Sequence, residues 1–102
     1  MNKDPQITAT VKEILDLIKN ISPGKSVELR VPPYAVIQCV AGSNHRRGTP
    51  PNTVEMNGQT LLRLINEPSL WSSFCESGDV RASGLLSDLS SIFAQAAVKY
   101  RA

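Results

Sequence analysis

Residues 27–40 read VELRVPPYAVIQCV, two strand-forming runs separated by a pair of prolines. In the first run, the apolar residues 27, 29 and 31 alternate with Glu28 and Arg30, which is the period-two pattern of a strand with one face in water. Pro32 and Pro33 interrupt the pattern because proline donates no hydrogen bond to a neighbouring strand. The second run, residues 34–40, is almost uniformly apolar, which predicts burial on both faces or one face turned towards a cavity.

An amphipathic helix precedes these strands. Asp4 suits the capping position and Pro5 the first helical position, while Ser22-Pro23-Gly24 is a stop signal. Between these signals, apolar residues recur at spacings of three and four and form one stripe. The stripe consists of Ile7, Val11, Ile14, Leu15, Ile18 and Ile21.

The second half of the chain mixes helices with short strands. A turn-rich loop over residues 41–53 leads to a brief strand at 54–56 and then to a helix over 59–65. Pro68 opens another helix that ends at Gly78, residues 79–83 alternate as a strand, and Ser87 is expected to cap the last helix. Because two strands follow each other early in the chain, we expect a single α+β domain over residues 1–102. Its open sheet has an antiparallel core and helices on one face.

Composition excludes several classes of protein. With 102 residues, 41% hydrophobic, 20% charged and a net charge of +2, the chain is typical of one globular domain and unlike a disordered segment. No apolar run is long enough to span a bilayer, and residues 1–6 lack the apolar stretch of a signal peptide. The expectation is therefore a cytoplasmic protein in which Cys39 and Cys75 are reduced thiols.

The chemistry-bearing residues do not form a recognisable catalytic or metal-binding motif. The single histidine, His45, has no Ser-His-Asp or Cys-His signature around it, and the apolar neighbours of Cys39 predict a buried, inert thiol. The cysteines and carboxylates lack zinc and calcium spacing, and the loop around Gly48 lacks the Lys-Ser/Thr ending of a phosphate loop. We therefore predict no catalytic residue, no metal and no cofactor. An enzyme that uses His45 with Glu55 would require the two side chains to lie within hydrogen-bond reach.

A basic loop is the most suggestive polar feature. No acidic residue occurs between Leu29 and Val54, whereas Arg30, Arg46 and Arg47 all fall in this interval. One interpretation is an anion or partner site, since guanidinium groups match carboxylate and phosphate geometry. The site would comprise Arg30, His45, Arg46, Arg47 and Glu55. The other interpretation is a solvated loop in which Arg30 or Arg47 pairs with Glu55, and both remain open. Nucleic acid is not expected as a partner, because no helix is basic and no aromatic residues interleave the arginines.

A second candidate site is apolar. Long aliphatic and aromatic residues fall on the facing stripes of the two helices that flank the last strand. They are Trp71, Phe74, Leu86, Leu89, Ile92 and Phe93. Stripes of this kind usually pack as core, and a hydrophobic ligand cavity in so small a protein would borrow the same residues.

Several phrases of the sequence resemble a known family. From Thr53-Val54-Glu55-Met56 to Phe93, the order strand, leucine-containing helix, second helix ending in glycine, strand VRASG and terminal helix resembles the sterol-carrier-protein fold. The earlier phrases RVPPYA (30–35) and RGTPPN (47–52) resemble the bacterial sterol carrier orthologue group of actinobacterial type. Together these phrases cover about residues 26–93.

The resemblance implies a mixed, mostly antiparallel sheet with helices packed over one face. It also implies an apolar tunnel or pocket between the sheet and the C-terminal helix, lined by Leu86, Leu89, Ile92 and Phe93 with Trp71 and Phe74 nearby. The leading hypothesis is a non-enzymatic binding module for a small hydrophobic or lipid-like molecule. The alternative is a protein-interaction or accessory module whose basic, proline-rich loop at 45–52 docks a partner. The resemblance itself carries over no role for the phrases at 32–34 and 48–52.

Overall fold

A computed structural model describes residues 4–42 and 52–101. Four α-helices and four strands make up these residues, with one short 3₁₀ turn at Pro68–Leu70. The elements in chain order are α1 (Pro5–Ile21), β1 (Val27–Val31), β2 (Ala35–Cys39), β3 (Asn52–Met56), α2 (Gly58–Asn66), α3 (Trp71–Ser77), β4 (Val80–Ser83) and α4 (Ser90–Arg101).

Local signals set the bounds of the first three helices. The carboxylate of Asp4 accepts hydrogen bonds from the backbone N–H groups of Gln6 and Ile7, which would otherwise lack partners at the start of α1. Asn57 caps α2 in the same way through the N–H of Thr60. Gly78 ends α3 with a φ of +85°, a backbone conformation that glycine adopts at little cost.

The four strands form one sheet in the order β2-β1-β3-β4. β1 pairs antiparallel with β2, and β3 pairs antiparallel with β4, whereas the central strands β1 and β3 run parallel. The predicted α+β class and the mixed, mostly antiparallel sheet are therefore confirmed. Both outer strands, β2 and β4, are sheet edges among the described residues.

One face of the sheet, here called the inner face, packs against the helices. Burial alternates along both central strands, so Val27, Leu29 and Val31 of β1 and Val54 and Met56 of β3 enter the core. The helices contribute the buried residues of α1, α2, α3 and α4 to the same apolar cluster. The opposite, outer face carries the alternating polar residues of the strands.

Two expectations from sequence are wrong. β2 is not buried on both faces: it is an edge strand, Val36 on its outer face is 58% exposed, and Gln38 is exposed. Ser87 does not cap α4, because its hydroxyl donates to the carbonyl of Gly84 instead. The carboxylate of Asp88 accepts the hydrogen bond from the N–H of Ser90 at the start of that helix. The sequence alone does not show whether Ser87 or Asp88 caps α4, since serine and aspartate are both good capping residues.

Candidate functional site

The apolar residues singled out in the sequence gather beneath the start of α4. Trp71 and Phe74 of α3 are almost completely buried, and Leu89 and Phe93 are fully buried. The rings of Trp71 and Phe93 lie 5.7 Å apart with their planes tilted by 35°. The guanidinium of Arg63 stands 5.1 Å from the ring centre of Phe74, which places a cation at the polar margin of the cluster.

The other two members of this set lie at its rim. Ile92 is half-buried, and Leu86 is 40% exposed in the turn that joins β4 to α4. Because Ile92 packs against the core, the buried cluster reaches the protein surface at this residue of α4. We call the six residues the α4 cluster, and they are Trp71, Phe74, Leu86, Leu89, Ile92 and Phe93.

A buried asparagine fixes the turn beside the α4 cluster. The side chain of Asn52 is 4% exposed, and its Nδ2 donates to the carbonyl of Ser26 at 2.8 Å. Its Oδ1 accepts from the N–H of Leu86 at 2.9 Å. Gly84, with a φ of +109°, passes so close that an added Cβ would stand 2.2 Å from this oxygen. Asn52 thus connects the start of β1, the start of β3 and the β4–α4 turn, which no sequence motif had indicated.

The described polar candidates lie on the other side of the sheet. Arg30 is on the outer face, where its guanidinium pairs with the Glu28 carboxylate and lies 3.9 Å from that of Glu55. Glu55 also pairs with Arg81 across the β3–β4 register. Arg30 and Glu55 are thus separated from the α4 cluster by the sheet. The pairing of Arg30 with Glu55 agrees with the solvated interpretation of these two residues, while His45, Arg46 and Arg47 lie outside the described residues.

One pocket is also on this outer side and was not predicted. It has a volume of about 540 Å³ and lies along β4. Its lining comprises Arg30, Thr53, Glu55, Cys75, Gly78, Val80, Arg81, Ala82 and Ser83. A second pocket of about 290 Å³, between the end of α1 and β2, includes Lys19 and Lys25. Neither pocket is lined by a residue of the α4 cluster, in which the rings of Trp71 and Phe93 pack against each other.

The two cysteines are free thiols in different surroundings. Cys39 is fully buried, and burial raises its pKa from 9.0 to about 11, so its thiol is protonated and a poor nucleophile, as predicted. Cys75 is exposed on α3, and its pKa is raised by burial and by the neighbouring carboxylate of Asp88. Cys39 ends one edge strand, whereas Cys75 lines the pocket along the other, so the two thiols lie too far apart for a disulfide.

Two further structural observations concern metals and membranes. Within residues 4–42 and 52–101, no three side chains of histidine, cysteine, aspartate or glutamate come together as metal ligands would. Among the described helices, none combines the length and the apolar character that crossing a bilayer requires.

Comparison with known proteins identifies the family. Residues 3–94 match the family model described as bacterial SCP ortholog. The chain belongs to this family. A solved structure titled "UbiJ-SCP2 Ubiquinone synthesis protein" has a similar fold, with a TM-score of 0.56 and 14% sequence identity over 100% of this chain and 98% of that one. No curated protein matches this bacterial SCP ortholog at a significant level.

Proposed function

We propose that this bacterial SCP ortholog binds a small amphipathic, lipid-like molecule through the α4 cluster. The apolar part of the molecule would lie against Trp71 and Phe93, between α4 and the inner face of the sheet. Its polar end would remain at the rim formed by Leu86 and Ile92. Membership of the SCP family supports a binding function of this kind.

One observation carries the proposal: the half-buried Ile92 packs against the core, so the α4 cluster extends from buried residues to the surface of α4. Leu89 and Phe93 are fully buried, Ile92 is half-buried, and Leu86 is 40% exposed. An apolar chain that entered beside Ile92 would next meet Leu89 and Phe93, which are one helical turn or less away and fully buried. Transfer of such a chain from water stabilises the complex by about 0.8 kcal/mol for each buried CH₂ group.

Because the rings of Trp71 and Phe93 pack against each other, binding requires α4 to move away from the neighbouring helices α1 and α2. The buried residues of this helix are Phe93, Ala96 and Ala97, so two of its three buried side chains are single methyl groups. A methyl group contributes only about 0.8 kcal/mol of apolar burial, which is less than half of what a leucine contributes. The last turn of α4 is held by a hydrogen bond from Arg101 to the carbonyl of Asn66. We expect α4 to be displaced at lower cost than α1, whose core face consists of Val11, Ile14, Leu15 and Ile18.

Native mass spectrometry with palmitate tests this proposal. We expect the mass of one bound palmitate, together with a change in the fluorescence of Trp71, the single tryptophan of the chain. Ile92→Glu places a charge at the rim, and we expect it to lower the affinity at least tenfold. Val98→Glu is the matched control, since Val98 lies on the same helix and is 69% exposed, and it should bind palmitate as the unmodified chain does.

The opposite result would favour the interaction module. A chain that shows no palmitate adduct, no change in Trp71 fluorescence and no co-purifying apolar molecule would contradict the proposal. If such a chain instead retained a protein partner that Arg46→Ala and Arg47→Ala released, the basic loop at 45–52 would be the functional feature.

A further inference from the structure

The most exposed large apolar residue of the described chain is Leu85. Its side chain is 100% exposed, and the next residue, Leu86, is 40% exposed. Both belong to the turn between β4 and α4, where Gly84 and Ser87 flank them. The other exposed large apolar residues, Val36 and Val98, stand singly on a strand and a helix. A solvent-exposed leucine pair therefore occurs at one point of the described surface.

This leucine pair is held in a fixed turn. The N–H of Leu86 donates to Asn52, and the N–H and hydroxyl of Ser87 both donate to the carbonyl of Gly84. Gly84 itself cannot be replaced without a clash, since an added Cβ would meet Asn52. These bonds fix the backbone of the turn, and within residues 4–42 and 52–101 no apolar side chain covers Leu85, which projects into water.

Basic residues lie at the same end of the molecule. Ser26, whose carbonyl is bonded to Asn52, is preceded by Lys25. The end of α1 is joined to the end of β2, since the carbonyl of Ser22 accepts from the N–H of Val40 at 2.7 Å. Lys19 in the last turn of α1 lines one pocket together with Lys25, and neither lysine forms an ion pair with another described residue. Asp88 is the nearest exposed carboxylate in sequence to the leucine pair.

An apolar tip beside basic residues fits a negatively charged bilayer. A protein partner would need a matching hollow around Leu85, whereas acyl chains accept a projecting side chain of any shape. Stable attachment to a membrane takes two signals, apolar insertion and attraction of basic residues to anionic headgroups. We propose that the β4–α4 turn docks on an anionic lipid surface, with Leu85 and Leu86 in the acyl region and Lys19 and Lys25 facing the headgroups.

This docking goes beyond the binding of a ligand in solution. Leu85 is not a member of the α4 cluster, but its neighbour Leu86 is, so the turn would bring the entrance of the cluster to the membrane. An apolar molecule could then pass between the bilayer and the cluster without crossing water.

Vesicle co-flotation of the full chain tests the docking. We expect binding to vesicles of equal parts phosphatidylglycerol and phosphatidylcholine, and at least tenfold weaker binding to pure phosphatidylcholine. Leu85→Ser should reduce binding to the anionic vesicles at least tenfold, since this exposed side chain supports no packing in the fold. Val98→Ser is the matched control, because it removes an exposed apolar residue elsewhere, and it should bind as the unmodified chain does.

A second variant reports insertion directly. The fluorescence of Leu85→Trp, corrected for Trp71, should shift to the blue on addition of the anionic vesicles. The proposal is overturned if the unmodified chain does not float, if Leu85→Ser floats as well as Val98→Ser, or if Leu85→Trp shows no shift. Self-association of the chain that Leu85→Ser abolishes would also overturn it, in favour of a protein contact. Palmitate binding by Leu85→Ser in solution is measured separately. It tests the ligand site of the α4 cluster and does not depend on docking, so failure of one proposal can be distinguished from failure of the other.

Discussion

The thiol of Cys39 illustrates how position alone sets the chemistry of a residue. Because it is fully buried at the end of β2, its pKa is raised from 9.0 to about 11, whereas in the unfolded chain it titrates near its ordinary value. Between these two pH values the unfolded chain has lost the proton and the folded chain still holds it. The contribution of the Cys39 thiol to the free energy of unfolding is therefore fully present below pH 9 and is lost as the pH rises towards 11.

We expect the unmodified chain to lose about 2 kcal/mol more stability between pH 8.5 and about 10.5 than Cys39→Ala does, since a shift of one pKa unit corresponds to about 1.4 kcal/mol. Urea denaturation at several pH values measures this difference, and other titrating groups are common to both chains. If the stability of the two chains changed with pH in parallel, the Cys39 thiol would have the same pKa in the folded and unfolded states, which contradicts the prediction.

At the scale of the elements, the start of α4 depends on Asp88. Its carboxylate accepts from the N–H of Ser90 at 3.0 Å, and hydrogen bonds from Ser90 lower its pKa below the ordinary value of 3.8. A carboxyl whose pKa is lowered by folding stabilises the fold above its ordinary pKa, and this contribution disappears as the pH falls through the lowered value. Burial and, to a smaller extent, the same carboxylate raise the pKa of Cys75.

Asp88→Ala should lower the free energy of unfolding by about 1 kcal/mol at pH 7, the usual cost of a lost helix cap. Asp16→Ala, at an exposed position within α1, should change it by less than about 0.5 kcal/mol. Thermal or urea denaturation measures both. The difference between the unmodified chain and Asp88→Ala should shrink below about pH 4 as Asp88 takes up its proton. A constant difference down to pH 2 would contradict the capping role.

At the scale of the whole molecule, Asn52 connects segments that are far apart in the chain. Its two hydrogen bonds join residues separated by 26 and 34 positions, which links β1, β3 and the β4–α4 turn. Removal of its side chain would leave the carbonyl of Ser26 and the N–H of Leu86 without these partners, and each such loss costs about 1–3 kcal/mol for a buried group.

We expect Asn52→Ala to lower the free energy of unfolding by about 2 kcal/mol or more, as measured by urea denaturation. Asn66→Ala is the matched control, because the exposed Asn66 side chain donates, within the described part of the chain, only to the carbonyl of Leu62. This variant should cost less than about 0.5 kcal/mol. Equal losses in the two variants would mean that the Asn52 bonds do not hold the turn.

The sequence by itself determined the elements and the class of the fold. The bounds of α1 follow from Asp4, Pro5 and the stop at residues 22–24, and the alternation in β1 correctly predicted which residues enter the core. These signals are local, since a cap or a turn depends on residues within one helical turn or one strand. The burial of Trp71, Phe74 and Phe93 was visible for the same reason, because it follows from the spacing of apolar residues along α3 and α4.

Only the tertiary structure decided how the elements meet. The parallel pairing of β1 with β3 leaves β2 at the edge with Val36 exposed, which the apolar sequence of β2 did not predict. The sheet separates Arg30 from the α4 cluster, so the described arginine and the apolar cluster do not form one site. The contact of Asn52 with Leu86 and the exposure of Leu85 depend on segments more than 30 residues apart. Pairing between distant segments depends on the packing of the whole chain, and for that reason local patterns in the sequence do not contain it.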